Sequence, residues 1–203
     1  MSNNKWDHSF KILLLGDIKV GKSSIMRRFI NDIFNNSYET TIPIDFGIKE
    51  YKLKEKLVKL QIWDTAGENR FHSIYKANYG KSNGIILIYD LENLDSFKKI
   101  NNLIKEIEES KALNPYKVLV GNKCDSLDRV VTEEEGKKLA DNYKMDYFEI
   151  SAKNDQNIIE LFYHIVNEII KTQEKNKTEC GWLIYKTNKD YINYSNFRNY
   201  YYY

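Results

Sequence analysis

Residues 10–24 read FKILLLGDIKVGKSS, and this stretch determines how the rest of the chain is interpreted. The apolar run Ile12–Leu15 predicts a buried strand, and the amphipathic pattern that begins at Ile25 predicts a helix. Between them, residues 16–23 match G-x-x-x-x-G-K-[ST], a loop whose backbone N–H groups hold phosphate between a strand and a helix. The partial positive charge at the helix N-terminus strengthens that attraction. The stretch therefore predicts a phosphate-binding site.

Two side chains of this loop have predicted roles. Lys22 would reach the β- and γ-phosphates of a nucleotide, and the Ser23 hydroxyl would bind Mg²⁺. A chance glycine turn after a strand is the alternative, and a Lys-Ser pair at the required offset argues against it. The predicted phosphate-binding residues are Asp17, Ile18, Lys19, Val20, Gly21, Lys22, Ser23 and Ser24.

Length and composition favour a soluble globular protein. The chain has 203 residues, of which 42% are hydrophobic and 30% charged, and this size suits one domain plus some tail. The net charge of +2 is too small to argue for nucleic acid as a partner. Two cysteines cannot build a disulfide framework, and the first residues contain no apolar leader. We therefore expect a cytoplasmic protein in a reducing compartment.

The remainder of the chain alternates strand and helix patterns. The strand patterns after the first are Ile44–Leu53, Leu57–Trp63, Gly84–Asp90, Tyr116–Gly121 and Asp146–Ile150, and the later helix patterns are Phe97–Ile107, Thr132–Tyr143 and Ile158–Ile169. The first two of these strands form a hairpin with its turn near residues 54–56. Such alternation predicts an α/β fold with three layers, a six-stranded mostly parallel sheet with helices on both faces. Ile44–Leu53 would be its antiparallel member.

Further candidate residues follow the ends of these strands. Asp64 would hold Mg²⁺ through water, because Mg²⁺ loses its hydration shell reluctantly. Gly67 would let its backbone N–H approach the γ-phosphate. Thr41, in the polar loop after the first helix, would complete the Mg²⁺ shell and sense the γ-phosphate, and an ordinary surface threonine is the alternative. All strand-end candidates lie at carboxyl ends, where open α/β sheets bind ligands.

Five motifs together resemble the Ras superfamily of small GTPases, and most closely the Rab family. In order, they are GDIKVGKSS, TTIPIDF, KLQIWDTAGENRF, VLVGNKCD and EISAK. The resemblance covers roughly Ser9 to Lys171. It implies a P-loop NTPase domain over residues 9–173, with an extension over residues 1–8. Residues 174–203 are rich in Tyr, Asn and Lys without a helical or alternating pattern, which predicts a disordered tail.

The resemblance implies specificity for guanine, with GTP or GDP and Mg²⁺ as ligands. Asn122 would bond the base, and the Asp125 carboxylate would accept from the ring N–H and the exocyclic amine. Lys123 would lie over the base, Ala152 would offer its N–H to the base oxygen, and Phe34 would pack on the base edge. Ser151 and Lys153 complete the predicted nucleotide-binding set. An ordinary Asn/Asp turn after the strand is the alternative for this motif, and the preceding phosphate loop makes it the weaker one.

The implied function is a switch between GTP and GDP in vesicle transport, with in-line attack of water on the γ-phosphate. The catalytic residues would be Lys22, Thr41 and the residue at the water-orienting position, Glu68. Effectors, an exchange factor and a GTPase-activating protein would bind through Tyr38–Phe46 and Gly67–Tyr79. We expect a monomer and no nucleic-acid partner.

Several residues depart from the pattern of the family. The water-orienting glutamine is Glu68 here, and a carboxylate beside the γ-phosphate is repulsive. Ile18 is bulky where relatives have small residues, Pro43 replaces a glycine, and Asn78 takes the third place of the aromatic triad that Rab proteins use to bind partners. These departures leave a second hypothesis open, a GTP-locked binding module with poor hydrolysis. A third, an ATP-using P-loop phosphotransferase, is disfavoured by residues 122–125.

Membrane attachment is also expected to differ. Rab proteins usually end in prenylated cysteines, whereas this chain ends in four tyrosines and Cys180 lies far from them. We expect no prenyl group and a largely cytosolic protein, with recruitment to endomembranes through a partner as the alternative. The sequence leaves membrane association open.

Overall fold

The computed structural model of the protein describes residues 5–35, 44–67, 72–110 and 114–176, except for the side chains of residues 72–75. The strands are β1 (His8–Gly16), β2 (Ile44–Leu53), β3 (Lys56–Thr65), β4 (Gly84–Asp90), β5 (Tyr116–Asn122) and β6 (Asp146–Ile150). Within the described ranges they form one sheet in the order β2-β3-β1-β4-β5-β6. Among these six described strands, only β2 runs antiparallel to its neighbour, so the predicted mostly parallel sheet is confirmed.

The helices connect these strands. They are α1 (Lys22–Asn31), α2 (His72–Tyr79), α3 (Leu94–Glu109) and α4 (Glu133–Asn142). The chain divides into two compact units, Met1–Ile165 and Val166–Tyr203. Helix α5 covers residues 158–165 of the first unit, and residues 166–176 are helical in the second unit. The sequence predicted a disordered tail over residues 174–203. Residues 174–176 are helical in the structure, and residues 177–203 lie outside the described ranges.

The centre of the sheet is apolar on both of its faces. Every residue of β4 is buried, as expected for a strand between two helical layers. Leu13 of β1 packs in a cluster with Ile100 and Ile104 of α3. On the opposite face, the Phe29 ring of α1 stacks on the Phe162 ring of α5, with 3.9 Å between their centroids. Helices therefore cover both faces of the sheet, as the sequence predicted.

Local sequence signals explain several boundaries. At the start of α4 the Thr132 hydroxyl accepts from the Glu135 backbone N–H at 3.2 Å, and the Glu135 carboxylate accepts from the Thr132 N–H at 2.8 Å. This confirms the predicted capping box. The β2–β3 turn consists of Lys54 and Glu55, whose φ angles of 47° and 66° are both left-handed, as a two-residue hairpin requires. None of the helices in the described ranges has both the length and the apolar character of a membrane span.

Candidate nucleotide-binding site

The phosphate loop lies between β1 and α1, at the carboxyl end of the central strand. Gly21 precedes α1 with a left-handed φ of 97°, and a Cβ there would lie 2.3 Å from Nδ2 of Asn122. Only glycine fits this position without displacing Asn122. Among the described residues, no side chain caps the start of α1. The first N–H groups of the helix, where Ser24 lies in the first turn, are therefore available to an anion.

Lys22 is a buried cation at the base of this loop. Its side chain is folded back, and Nζ donates to the carbonyl oxygens of Gly16 at 3.0 Å and Asp17 at 2.7 Å. The residue is only 6% exposed. Burial lowers the pKa of Lys22 to about 8, against the opposing effects of the Asp64 and Asp17 carboxylates. A bound phosphate would supply the counter-charge that this buried ammonium needs.

Ser23 and Asp64 form the predicted metal-binding pair. The Ser23 hydroxyl donates to Oδ2 of Asp64, which is fully buried at the end of β3. The other carboxylate oxygen of Asp64 has no hydrogen-bond partner among the described residues. Burial raises the pKa of Asp64 to about 6, although Ser23 and Lys22 oppose the shift. A buried carboxylate with an unused oxygen beside a hydroxyl matches the oxygen ligands that Mg²⁺ takes. Thr41, the third predicted ligand, lies outside the described residues.

Gly67 packs its backbone directly on the phosphate loop. A Cβ at this position would lie 2.3 Å from the backbone nitrogen of Ile18 and 2.5 Å from the carbonyl oxygen of Asp17. The structure thus places the predicted γ-phosphate segment beside the loop. Ile18 itself is 44% exposed at the mouth of the loop, and Lys19 has a left-handed φ of 61°. Glu68 lies outside the described residues.

The predicted base-binding residues meet where β5 and β6 end side by side. Oδ1 of Asp125 accepts from the Ser151 hydroxyl at 2.6 Å, and the same hydroxyl accepts from the Asn154 N–H at 2.9 Å. Nζ of Lys153 lies 3.8 Å from the other carboxylate oxygen of Asp125. Ser151 therefore fixes the orientation of the carboxylate that is predicted to recognise guanine.

Asn122 joins the base site to the phosphate loop. Its Nδ2 donates to the carbonyl oxygen of Val20 at 2.8 Å, and its Oδ1 accepts from the Ala152 N–H at 3.3 Å. The sequence did not predict this link. The contacts of Asn122 and Ala152 with a base stay predictions, whereas the contacts between the two loops are part of the structure.

Lys123 is held by two carboxylates. It has a left-handed φ of 70°, and Nζ lies 2.6 Å from Oδ2 of Asp90 and 3.0 Å from Oε2 of Glu92. Burial lowers the pKa of Lys123, but the hydrogen bonds to both acids outweigh burial and raise it above its ordinary value. The ammonium is therefore charged and fixed in place at neutral pH.

Two basic residues support the site without having been predicted. Arg28 of α1 donates to the carbonyl oxygens of Ala152 at 3.1 Å and Lys153 at 3.2 Å, and its guanidinium carbon lies 5.9 Å from the centroid of the Phe34 ring. Lys99 of α3 lies 2.6 Å from the Asp17 carboxylate. The contacts with Ala152, Lys153 and Asp17 join residues 82 to 125 positions apart, so no local pattern could have indicated them.

The predicted partner surface contains two stacked aromatic rings. The centroids of Phe46 and Trp63 are 5.8 Å apart, and Phe46 is 58% exposed. Lys11 Nζ lies 3.5 Å from the centroid of the Trp63 ring and donates to Oδ1 of Asn78 at 2.8 Å. Asn78, at the third position of the predicted triad, thus holds the Lys11 ammonium against the Trp63 ring.

The sheet order, the glycine loop, the buried lysine and the Ser–Asp pair define a small P-loop nucleotide-binding protein. A family model described as the Ras family matches residues 11–171, and the chain belongs to that family.

The chain is similar to curated proteins of the Rab group. It is 42% identical to bovine "Ras-related protein Rab-8B" over 182 residues, which is 87% of this chain and 88% of that protein. It is 43% identical to the Caenorhabditis elegans "Ras-related protein Rab-10" over 171 residues, 84% of this chain and 85% of that protein. It is 44% identical to the Schizosaccharomyces pombe "GTP-binding protein ypt2" over 172 residues, 84% and 86% of the two chains. The sequence-based assignment to Rab-like small GTPases is confirmed.

Proposed function

We propose that this protein is a Mg²⁺-dependent switch of vesicle transport that binds GTP and GDP and hydrolyses GTP. The observation that supports this most is the site around Lys22. There a buried ammonium, an uncapped helix start and the Ser23–Asp64 pair converge at one end of the sheet. Asp125 lies beyond them, with its carboxylate oriented by Ser151. We assign this activity to the domain over residues 9–173.

The residues would divide the reaction between them. The start of α1 and Lys22 would bind the β- and γ-phosphates, and Ser23, Asp64 and Thr41 would hold the metal. Mg²⁺ supplies neutralisation of phosphate charge when it is bound. Water would form a bond to the γ-phosphorus as the bond to the bridging oxygen of GDP breaks, giving GDP and inorganic phosphate. Lys22 would stabilise charge on the phosphate oxygens, and residue 68 would orient the water.

Guanine selectivity would come from Asp125. Each hydrogen bond from the base to this carboxylate is worth about 1.5–3 kcal/mol. Asp125→Asn is therefore expected to weaken GDP binding and to favour xanthine nucleotides, which present an acceptor where guanine has its amine. Asp128→Asn, the same change at an exposed position of the same loop, is the matched control and should leave selectivity unchanged.

A competition titration of GTP, XTP and ATP against a fluorescent GDP measures both effects. Equal competition by ATP and GTP against wild-type protein would overturn the guanine assignment and favour a phosphotransferase that uses ATP. Unchanged selectivity in Asp125→Asn would show that another group reads the base.

Hydrolysis is proposed to be slow, and the GTP-locked module is the second candidate function. Glu68 cannot donate a hydrogen bond to the γ-phosphate, and the exposed Ile18 lies at the mouth of the loop where an activating protein would insert an arginine. Losing one preorganised donor commonly costs about 10²–10³ in rate. We expect Glu68→Gln to hydrolyse GTP at least roughly tenfold faster than wild type, with GTP affinity little changed.

Single-turnover hydrolysis of wild type, Glu68→Gln and Ile18→Ser, alone and with an activating domain, tests this. Equal intrinsic rates for wild type and Glu68→Gln would mean that the carboxylate orients water as well as the amide does. The GTP-locked function should then be dropped. A gain in Ile18→Ser that requires the activating domain would identify Ile18 as the barrier to stimulation.

A further inference from the structure

We propose that Glu92 is a positioning residue of the base site, which holds the Lys123 side chain over bound guanine and so slows nucleotide release. This inference rests on the proposed function, because it assumes that guanine occupies the site beside Lys123. Glu92 lies in the turn between β4 and α3, 31 positions from Lys123, outside every motif that indicated the site.

The geometry joins one ammonium to two acids of different kinds. Asp90 lies at the end of β4 and is almost fully buried, and its Oδ2 is 2.6 Å from Nζ of Lys123. The Glu92 side chain is about one-third exposed, and its Oε2 is 3.0 Å from the same nitrogen. With both acids in place, the ammonium is held at the β4 side of the site. The aliphatic stem of Lys123 must then cross the space between the end of β5 and that anchor.

The turn that carries Glu92 is itself firmly held. The Glu92 N–H donates to Oδ1 of Asp90 at 2.9 Å, and the Leu91 N–H donates to the carbonyl oxygen of Asn122 at 3.0 Å. Leu91 is buried, and the Asn93 side chain caps the start of α3. The carboxylate of Glu92 is therefore presented from a rigid backbone, as a positioning role requires.

Glu92 also interacts with Ser126, the residue that follows Asp125. Hydrogen bonds from Ser126 and Lys123 hold the pKa of Glu92 below its usual range, so the carboxylate is ionised at neutral pH. Lys123 and Ser126 are the residues on either side of the Cys124–Asp125 pair. The carboxylate that anchors Lys123 thus lies beside the segment that carries Asp125, and loosening it should affect the base more than the phosphates.

The test measures release of fluorescent GDP and GTP from the full-length, Mg²⁺-loaded protein. Glu92→Gln removes the charge of the acceptor and is expected to raise both release rates by about two- to fivefold. This is the fold-change that corresponds to losing one partly exposed ion pair. The factor should be the same for GDP and GTP because they share the base. Glu108→Gln, an exposed glutamate of α3, is the matched control and should not change the rates.

A double-mutant cycle separates positioning from a general structural effect. In a Lys123→Met background, Glu92→Gln should have no further effect, because the ammonium through which it acts is gone. Wild-type release rates in Glu92→Gln, or an equal acceleration in the Lys123→Met background, would overturn the proposal while leaving guanine binding intact. Failure of the wild-type protein to bind guanine nucleotides would overturn the proposed function and this inference together.

Discussion

Replacing Gly67 with alanine is expected to slow GTP hydrolysis by about 100-fold and to leave nucleotide affinity little changed. The added Cβ would lie 2.3 Å from the backbone nitrogen of Ile18, whereas ordinary contact begins near 3.4 Å. Because the atoms it meets are backbone on both Asp17 and Ile18, the segment that carries residue 67 must move away by about 1 Å. A displacement of this size at reacting groups can cost about 10²-fold in rate. Lys22 and Ser23 are untouched, so binding should persist.

Single-turnover hydrolysis and a titration with fluorescent GTP measure the two quantities separately. Gly47→Ala is the matched control, because the single atom its Cβ would crowd is Cδ1 of Ile30, the end of a flexible side chain, at 2.1 Å, and Sδ of Met26 lies at an ordinary contact distance of 3.5 Å. A Gly67→Ala protein that hydrolyses GTP at the wild-type rate would refute the reasoning. It would show that the contact between residue 67 and the phosphate loop does not set the catalytic geometry.

Two further predictions concern stability. The double substitution Lys54→Asn with Glu55→Gly should raise the free energy of unfolding by about 1 kcal/mol, because both positions have left-handed conformations that Asn and Gly adopt more easily. Urea denaturation measures this change, and an unchanged midpoint would contradict the prediction. Burial raises the pKa of Tyr89 to about 12, so this tyrosine should make its full contribution to stability below pH 10. It should lose about 2–3 kcal/mol of that contribution as pH rises towards 12, because the unfolded chain has then lost a proton that the folded protein keeps. Urea midpoints from pH 8 to 11 should decline less steeply in Tyr89→Phe, and an equal decline would exclude this tyrosine as the cause.

The sheet and the phosphate loop could be predicted because their sequence signals are local. A strand buried between two helical layers must be apolar throughout, which is why Gly84–Asp90 was recognised with its observed bounds. Ile44–Leu53 and Asp146–Ile150 also have the predicted bounds. The proximity of Ser23 to Asp64 followed from the rule that carboxyl ends of parallel strands share one edge.

The parts that could not be predicted depend on tertiary contacts or on weak patterns. Helix α2 was missed because HSIYKANY is short and mixes apolar and polar residues without a clear period. The contacts of Arg28 with the Ala152 loop depend on side-chain directions across the fold, which no window of sequence contains. The same holds for Glu92, whose position in an ordinary turn gives no sign that it reaches Lys123.

The buried charges of the phosphate loop have a consequence for the lifetime of the protein in a cell. Lys22 and Asp64 are removed from water, and among the described residues no side chain caps the start of α1, so a ligand bound at this site would offset the cost of burying these charges. A ligand that binds only the folded state adds about 2.7 kcal/mol of stability at 100 times its dissociation constant. Nucleotide supply would then set the folded fraction as well as the state of the switch. Substitutions that weaken nucleotide binding should lower abundance through proteolysis before any defect in signalling is measured.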